Sequence, residues 1–172
     1  MHSSPSQDGS ISLSRNRNSN LLRTLAIAAV AAVVFWLDQL TKAWVMRSFL
    51  PGESRIVVPR LLNWTYERNY HGAFGFFGSN SILLILMALV VLVVFYLSFK
   101  DAAQQSYLVC VAFGLIVGGA VGNIADRIHH GFVVDFVDFY RIWPNIFNFA
   151  DSCITAGVIL LLLKSLATRR RA

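Results

Sequence analysis

The chain has 172 residues, of which 56% are hydrophobic and 14% charged, with a mean hydropathy of +0.58. Soluble domains carry close to a quarter charged residues, and here the apolar residues come in long unbroken runs and not at a helical or strand period. A water-soluble enzyme, a disordered chain and a disulfide scaffold are excluded, and the chain reads as a polytopic membrane protein. The net charge of +6 does not signal nucleic acid, because Arg15, Arg17 and Arg23 precede the first apolar run and Arg169, Arg170 and Arg171 close the chain, as membrane flanks do.

Residues 1–21 are rich in Ser and Asn and offer almost nothing to bury, so a disordered cytoplasmic tail is expected there. Residues 24–37 are uncharged, but fourteen helical residues cover only about 21 Å of a roughly 30 Å hydrocarbon core. The first span must therefore run on through Asp38 and Lys42, over about 24–45. Without a small-residue cleavage site behind it, this run is a permanent span and not a removed signal peptide.

Residues 46–80 form an outer loop too long for a bare turn. Ser54–Val58 and Leu62–Tyr66 alternate as in a short hairpin or small sheet, and Trp64, Tyr66, Tyr70, Phe74, Phe76 and Phe77 suit a surface lying on lipid headgroups. Further spans are expected over 81–99, 106–127 and 148–166, the last only if it starts near Asn148 and takes Asp151 inside. A second outer loop covers 128–147, and 167–172 is a basic tail. The fold class is an all-α polytopic membrane protein: four transmembrane helices with a small extracytoplasmic β element. Eight Lys and Arg flank the termini and the 100–106 turn against six in the two other loops, which puts both termini in the cytoplasm. Asp38, Asp126, Asp135 and Asp151 then all lie toward the outer face. Cys110 and Cys153 fall inside apolar runs, and no disulfide is expected.

An intramembrane carboxylate costs about 2.5–3.5 kcal/mol at mid-helix, so four on one side need a reason. Asp38 can pair with Lys42 at i, i+4, and Asp126 with Arg127 or Arg141. Gly114, Gly118, Gly122 and Asp126 share one helix face, a packing seam that ends at a carboxylate beside Asn123. Asn148 and Asp151 can cap the fourth helix, although one cap needs only one such residue. Asp135 stands in a strand-like stretch with no neighbouring base. Two carboxylates held together in a partly dry site share one proton, so one can activate a water while the other polarises a peptide carbonyl. That is aspartic-protease chemistry, and on these residues alone Asp126 and Asp135 are equal candidates for the partner of Asp151. Serine, cysteine, zinc and nucleotide motifs are missing, and the adjacent His129 and His130 suit an interface better than a metal. No metal or cofactor is expected. A proton- or ion-coupled transporter is the alternative, with its carboxylates near the bilayer midplane.

The stretches LDQLTK (37–42), NYHGAF (69–74), GGAVGNIADR (118–127), VVDF (133–136) and FNFADS (147–152), in this order on four spans, resemble lipoprotein signal peptidase, or signal peptidase II. The resemblance covers about residues 22–166. It implies a bacterial inner-membrane aspartic endopeptidase that removes the signal peptide from a prolipoprotein, cutting before the diacylglyceryl-modified cysteine. It also implies that Asp135 and Asp151 are catalytic and that Asp38, Lys42, Asn69, Gly72, Asn123, Asp126, Arg127 and Asn148 bind substrate or support the site. The partners expected are the prolipoprotein and membrane lipids, with no nucleic acid, and the enzyme is expected to be a monomer. Two departures stand out: His71 occupies a position where the family has glycine, and Phe136 to Ala150 is slightly shorter than the family's segment.

Overall fold

A computed structural model describes residues 7–72, 80–103, 106–140 and 142–169, with side chains from 18 to 168. Four helices, α1 (Gln7–Ser48), α2 (Ser81–Ala103), α3 (Tyr107–His130) and α4 (Phe149–Arg169), are joined by three strands, β1 (Ser54–Val58), β2 (Leu62–Asn69) and β3 (Val133–Asp138). All four helices are long and apolar enough to cross a membrane. The helix starts at Gln7 and so overruns the tail expected over 1–21. Once an apolar span has nucleated a helix, each added residue costs only propagation, and a polar segment can continue it. At the other end α4 runs to Arg169, into the stretch expected to be a basic tail.

Each helix end has a local cause. Asn80 caps α2 by accepting from the Ile82 and Leu83 N–H groups at 3.1 and 3.2 Å. Gly131 ends α3 in the left-handed region at φ 77, donating its N–H to the Arg127 carbonyl, a conformation that a side chain would strain. Helix α3 is the centre of the bundle and is buried along much of its length, whereas α2 buries only Ala103 and presents Leu86, Val90 and Val94 outward, as a lipid-facing helix does.

The glycine stripe is what brings α1 against α3. A Cβ on Gly114 would lie 2.5 Å from Val30, one on Gly118 2.6 Å from the Ala31 carbonyl, and one on Gly122 would overlap the Asp38 carboxylate. Gly119 and Gly157 do the same for α3 against α4, at 2.6 Å from the Ala150 carbonyl and 2.7 Å from the Ala112 carbonyl. Close backbone approach of this kind holds membrane helices through van der Waals packing, since lipid gives no hydrophobic force between them.

The expected hairpin is β1 and β2, and the strand-like stretch around Asp135 is β3, which joins it to make an antiparallel sheet in the order β1-β2-β3. Val45, Phe49, Tyr66, Val134 and Phe136 form one apolar cluster that seats the sheet on the end of α1. Trp64 packs at 5.5 Å on Phe136 and Tyr70 at 5.3 Å on Phe132. Of the aromatics expected on the outer surface, Phe74, Phe76 and Phe77 lie outside the described residues.

Candidate active site

Asp38, Lys42, Asp126, Asp135 and Asn148 are each no more than 2% exposed and meet where α1, α3, β3 and the start of α4 converge. Lys42 is the centre. Its ammonium has three N–H groups, and it reaches Asp38 Oδ2 at 2.8 Å, Asp126 Oδ2 at 3.0 Å and Asn123 Oδ1 at 2.8 Å. A buried ammonium that lost these partners would carry an uncompensated charge, so the four residues form one unit.

Each partner of Lys42 passes the constraint to another element. Asp38 Oδ1 accepts from the Ala150 N–H at 3.0 Å, which caps α4 from α1. Asp126 Oδ2 accepts from the Val134 N–H at 3.0 Å, next to Asp135 in β3. Asn123 donates to Asp151 Oδ1 at 2.8 Å. The pairing expected between Asp126 and Arg127 does not form: Arg127 instead donates to the Asn123 carbonyl at 3.2 Å, because an adjacent helical residue points away around the helix. Arg141, the other expected partner, lies outside the described residues. Gln39 is a residue that sequence reasoning missed. Its amide donates to Asp126 Oδ1 at 3.0 Å, Asp38 Oδ2 at 3.2 Å and the Gly122 carbonyl at 3.3 Å, and a lone glutamine beside Asp38 carries no signal of these distant acceptors.

Asn148 and Asp151 cap each other. Asn148 Oδ1 accepts from the Asp151 N–H at 2.9 Å, and Asp151 Oδ2 accepts from the Asn148 N–H at 3.3 Å. This is a reciprocal capping box, so the expectation that one cap needs only one such residue is corrected: two are used. The cap still leaves atoms over. Asn148 Nδ2 donates to Asp135 Oδ1 at 2.7 Å and to Asn123 Oδ1 at 3.1 Å, so Asn148 bridges the two aspartates.

Asp135 is held on its other oxygen by Asn69, which donates to Oδ2 at 2.8 Å. Asn69 Oδ1 in turn accepts from the His71 and Gly72 N–H groups at 3.0 and 2.9 Å, a local turn typical of Asn. Gly72 takes φ 71, and a Cβ there would meet Leu84 at 3.0 Å and Arg127 Nη2 at 3.6 Å. The tight turn thus falls on Gly72, and His71 is exposed beside it. Burial above all, and then the charge of Asp151, push the Asp135 carboxyl up to about 7, against the pull of the Asn69 and Asn148 hydrogen bonds. A carboxyl poised there can exchange a proton near neutral pH. His129 and His130 end α3 on its exposed side, where His130 packs on Phe132 at 5.7 Å.

Two carboxylates bridged by one asparagine, one of them with its pKa raised to about 7, at the end of a bundle of helices able to span a membrane, define an acid–base site of a membrane protein. The sequence profile described as Signal peptidase (SPase) II matches residues 30–167. A lipoprotein signal peptidase of Syntrophomonas wolfei is 42% identical over 139 residues, covering 81% of this chain and 91% of that protein. One of Actinobacillus succinogenes is 44% identical over 148 residues, covering 82% and 90%. A solved structure described as a bacterial membrane enzyme at 1.9 Å resolution superposes with a TM-score of 0.72 at 34% identity, covering 81% of this chain and 92% of that one. The chain belongs to the signal peptidase II family, the membrane aspartic peptidases that process prolipoproteins. It is a multi-pass bacterial membrane hydrolase, and the transporter alternative falls away.

Proposed function

We propose that Asp135 and Asp151 are the catalytic pair of this peptidase. The observation that carries the proposal is the Asn148 bridge: its side chain donates to Asp135 while its backbone N–H donates to Asp151, so one residue orients both acids. The ionised member takes a proton from a water, whose oxygen adds to the carbonyl carbon preceding the lipidated cysteine. The protonated member donates a hydrogen bond to the carbonyl oxygen. Collapse of the tetrahedral intermediate breaks the C–N bond and delivers a proton to the leaving amine. The products are a signal peptide with a free carboxylate and a protein whose new N-terminus is diacylglyceryl-cysteine.

In this reading Asn69, Asn123 and Asn148 orient the acids. Asp38, Lys42 and Asp126 tie α1, α3, β3 and α4 together behind them, and Gly72 and Arg127 border the substrate side. Both termini are cytoplasmic and the site opens at the outer face, in keeping with the excess of basic residues beside the termini. The substrate comes through the lipid, and the enzyme works as a monomer in contact with membrane lipids. The test is cleavage of a diacylglyceryl-modified peptide in detergent by wild type and by Asp151→Asn. Retained activity in that variant would sink the assignment.

A further inference from the structure

The face of the sheet that carries Asp135 also carries Glu67. These two residues are directly opposed across the antiparallel β2–β3 pair, which puts their side chains on one face with Cβ atoms about 5 Å apart. Asn69, two residues along β2 and so on the same face, reaches Asp135 from there. Arg68 between them faces the other way, opposite Val134, with its guanidinium 5.8 Å from the Tyr66 ring and 5.1 Å from the Phe132 ring. Unlike the buried carboxylates around it, Glu67 is exposed, and among the described residues it has no ion-pair partner.

We propose that Glu67 sets substrate specificity by favouring a basic side chain at the first two positions after the lipidated cysteine. The inference builds on the catalytic pair and outer-facing site proposed above. With the signal peptide in the bilayer, the chain beyond the scissile bond leaves toward water over the outer sheet. An extended peptide advances about 3.3 Å per residue, so its first two residues past the cysteine fall within reach of the side chain of Glu67, whose Cβ lies about 5 Å from that of Asp135. Peptide bound across the sheet displaces water around Glu67 and strengthens the charge interaction above that of a free surface pair. Arg127, beside Gly72 on the α3 side, is the cation that would draw an acidic residue instead, so the two charges make opposite demands on the substrate.

The test uses three diacylglyceryl peptides identical except for Lys, Gln or Glu at both positions. Their kcat/KM values are measured for wild type, Glu67→Gln and Glu67→Lys. Wild type should prefer the Lys peptide over the Glu peptide by about fivefold at low salt, Glu67→Gln should shrink that ratio to within about twofold, and Glu67→Lys should invert it. The preference should fade at about 0.5 M salt, while the Gln peptide is cut at similar rates by all three proteins, which reports an intact catalytic pair. Equal Lys-to-Glu ratios in all three proteins, with the peptides still cleaved, would overturn the role of Glu67 and leave the catalytic pair standing. A wild-type preference for the Glu peptide would overturn it in favour of Arg127. If wild type cut none of the three, the catalytic reading would fail and Glu67 with it.

Discussion

A carboxyl group that is 2% exposed ionises only if its surroundings replace the lost water, and at Asp135 two amide donors do so incompletely. Its pKa rises from the ordinary 3.8 to about 7, so the folded protein prefers Asp135 protonated. The stability this group contributes is therefore fully present below about pH 4 and is lost as pH rises through about 7. Thermal midpoints in detergent should fall from about pH 5 to about pH 8, and Asp135→Asn should flatten that slope; an unchanged slope in the variant would assign the titration elsewhere. Activity should decline above about pH 7 as the shared proton is lost, the apparent value belonging to the pair. If the two acids act as one unit, as proposed, Asp135→Asn, Asp151→Asn and the double variant should reach about the same residual rate, measured by peptide cleavage on folded protein. A double variant markedly slower than either single would mean that the acids act independently.

At the level of elements, the start of α4 is held from two sides, by its own Asn148–Asp151 box and by Asp38 reaching Ala150 from α1. Gly122 controls the second hold, because a Cβ there would overlap the Asp38 carboxylate. Gly122→Ala should cost about 1–3 kcal/mol by overpacking and lower activity at least about tenfold by shifting Asp38 and with it α4. A Cβ added to Gly131 would meet nothing within 4 Å, so Gly131→Ala should cost about 1 kcal/mol of backbone strain and leave activity within about twofold. Parallel melting curves and cleavage rates check both; equal loss of activity in the two would show that the glycine stripe does not govern the site.

For the whole molecule, the proposed site at the end of the bundle would be reached from within the bilayer, and a substrate anchored by two acyl chains would arrive with its scissile bond at that depth. Each buried CH₂ contributes about 0.8 kcal/mol to the anchoring. If that binding also orients the bond, a peptide with an unmodified cysteine should be cut at least about 100-fold more slowly. Initial rates for the two forms in one bilayer decide this, and equal rates would mean that the signal helix alone is read. Activity should also survive EDTA and thiol alkylation, since the proposed chemistry runs on Asp135 and Asp151; loss with EDTA and recovery with zinc would turn attention to His129 and His130.

Long uncharged runs are local in sequence, and a membrane admits little but helices for them, which is why the presence of four spans was legible, though not their exact ends. The Asp38–Lys42 pair was legible for the same reason, being one helical turn apart, and alternation marked the β1–β2 hairpin. Proximity between distant segments leaves no such local trace. That β3 would join the hairpin and set Asn69 and Glu67 beside Asp135, that Lys42 would reach Asp126 and Asn123, and that Gln39 would cross to α3 were decided by tertiary structure alone. Composition and spacing left Asp126 and Asp135 equivalent as partners of Asp151, and only their resemblance to a family's motifs separated them. The fold supplies the physical difference: Asp126 has Lys42, Gln39 and the Val134 N–H on its two oxygens, whereas Asp135 has only neutral amides and stays free to hold a proton.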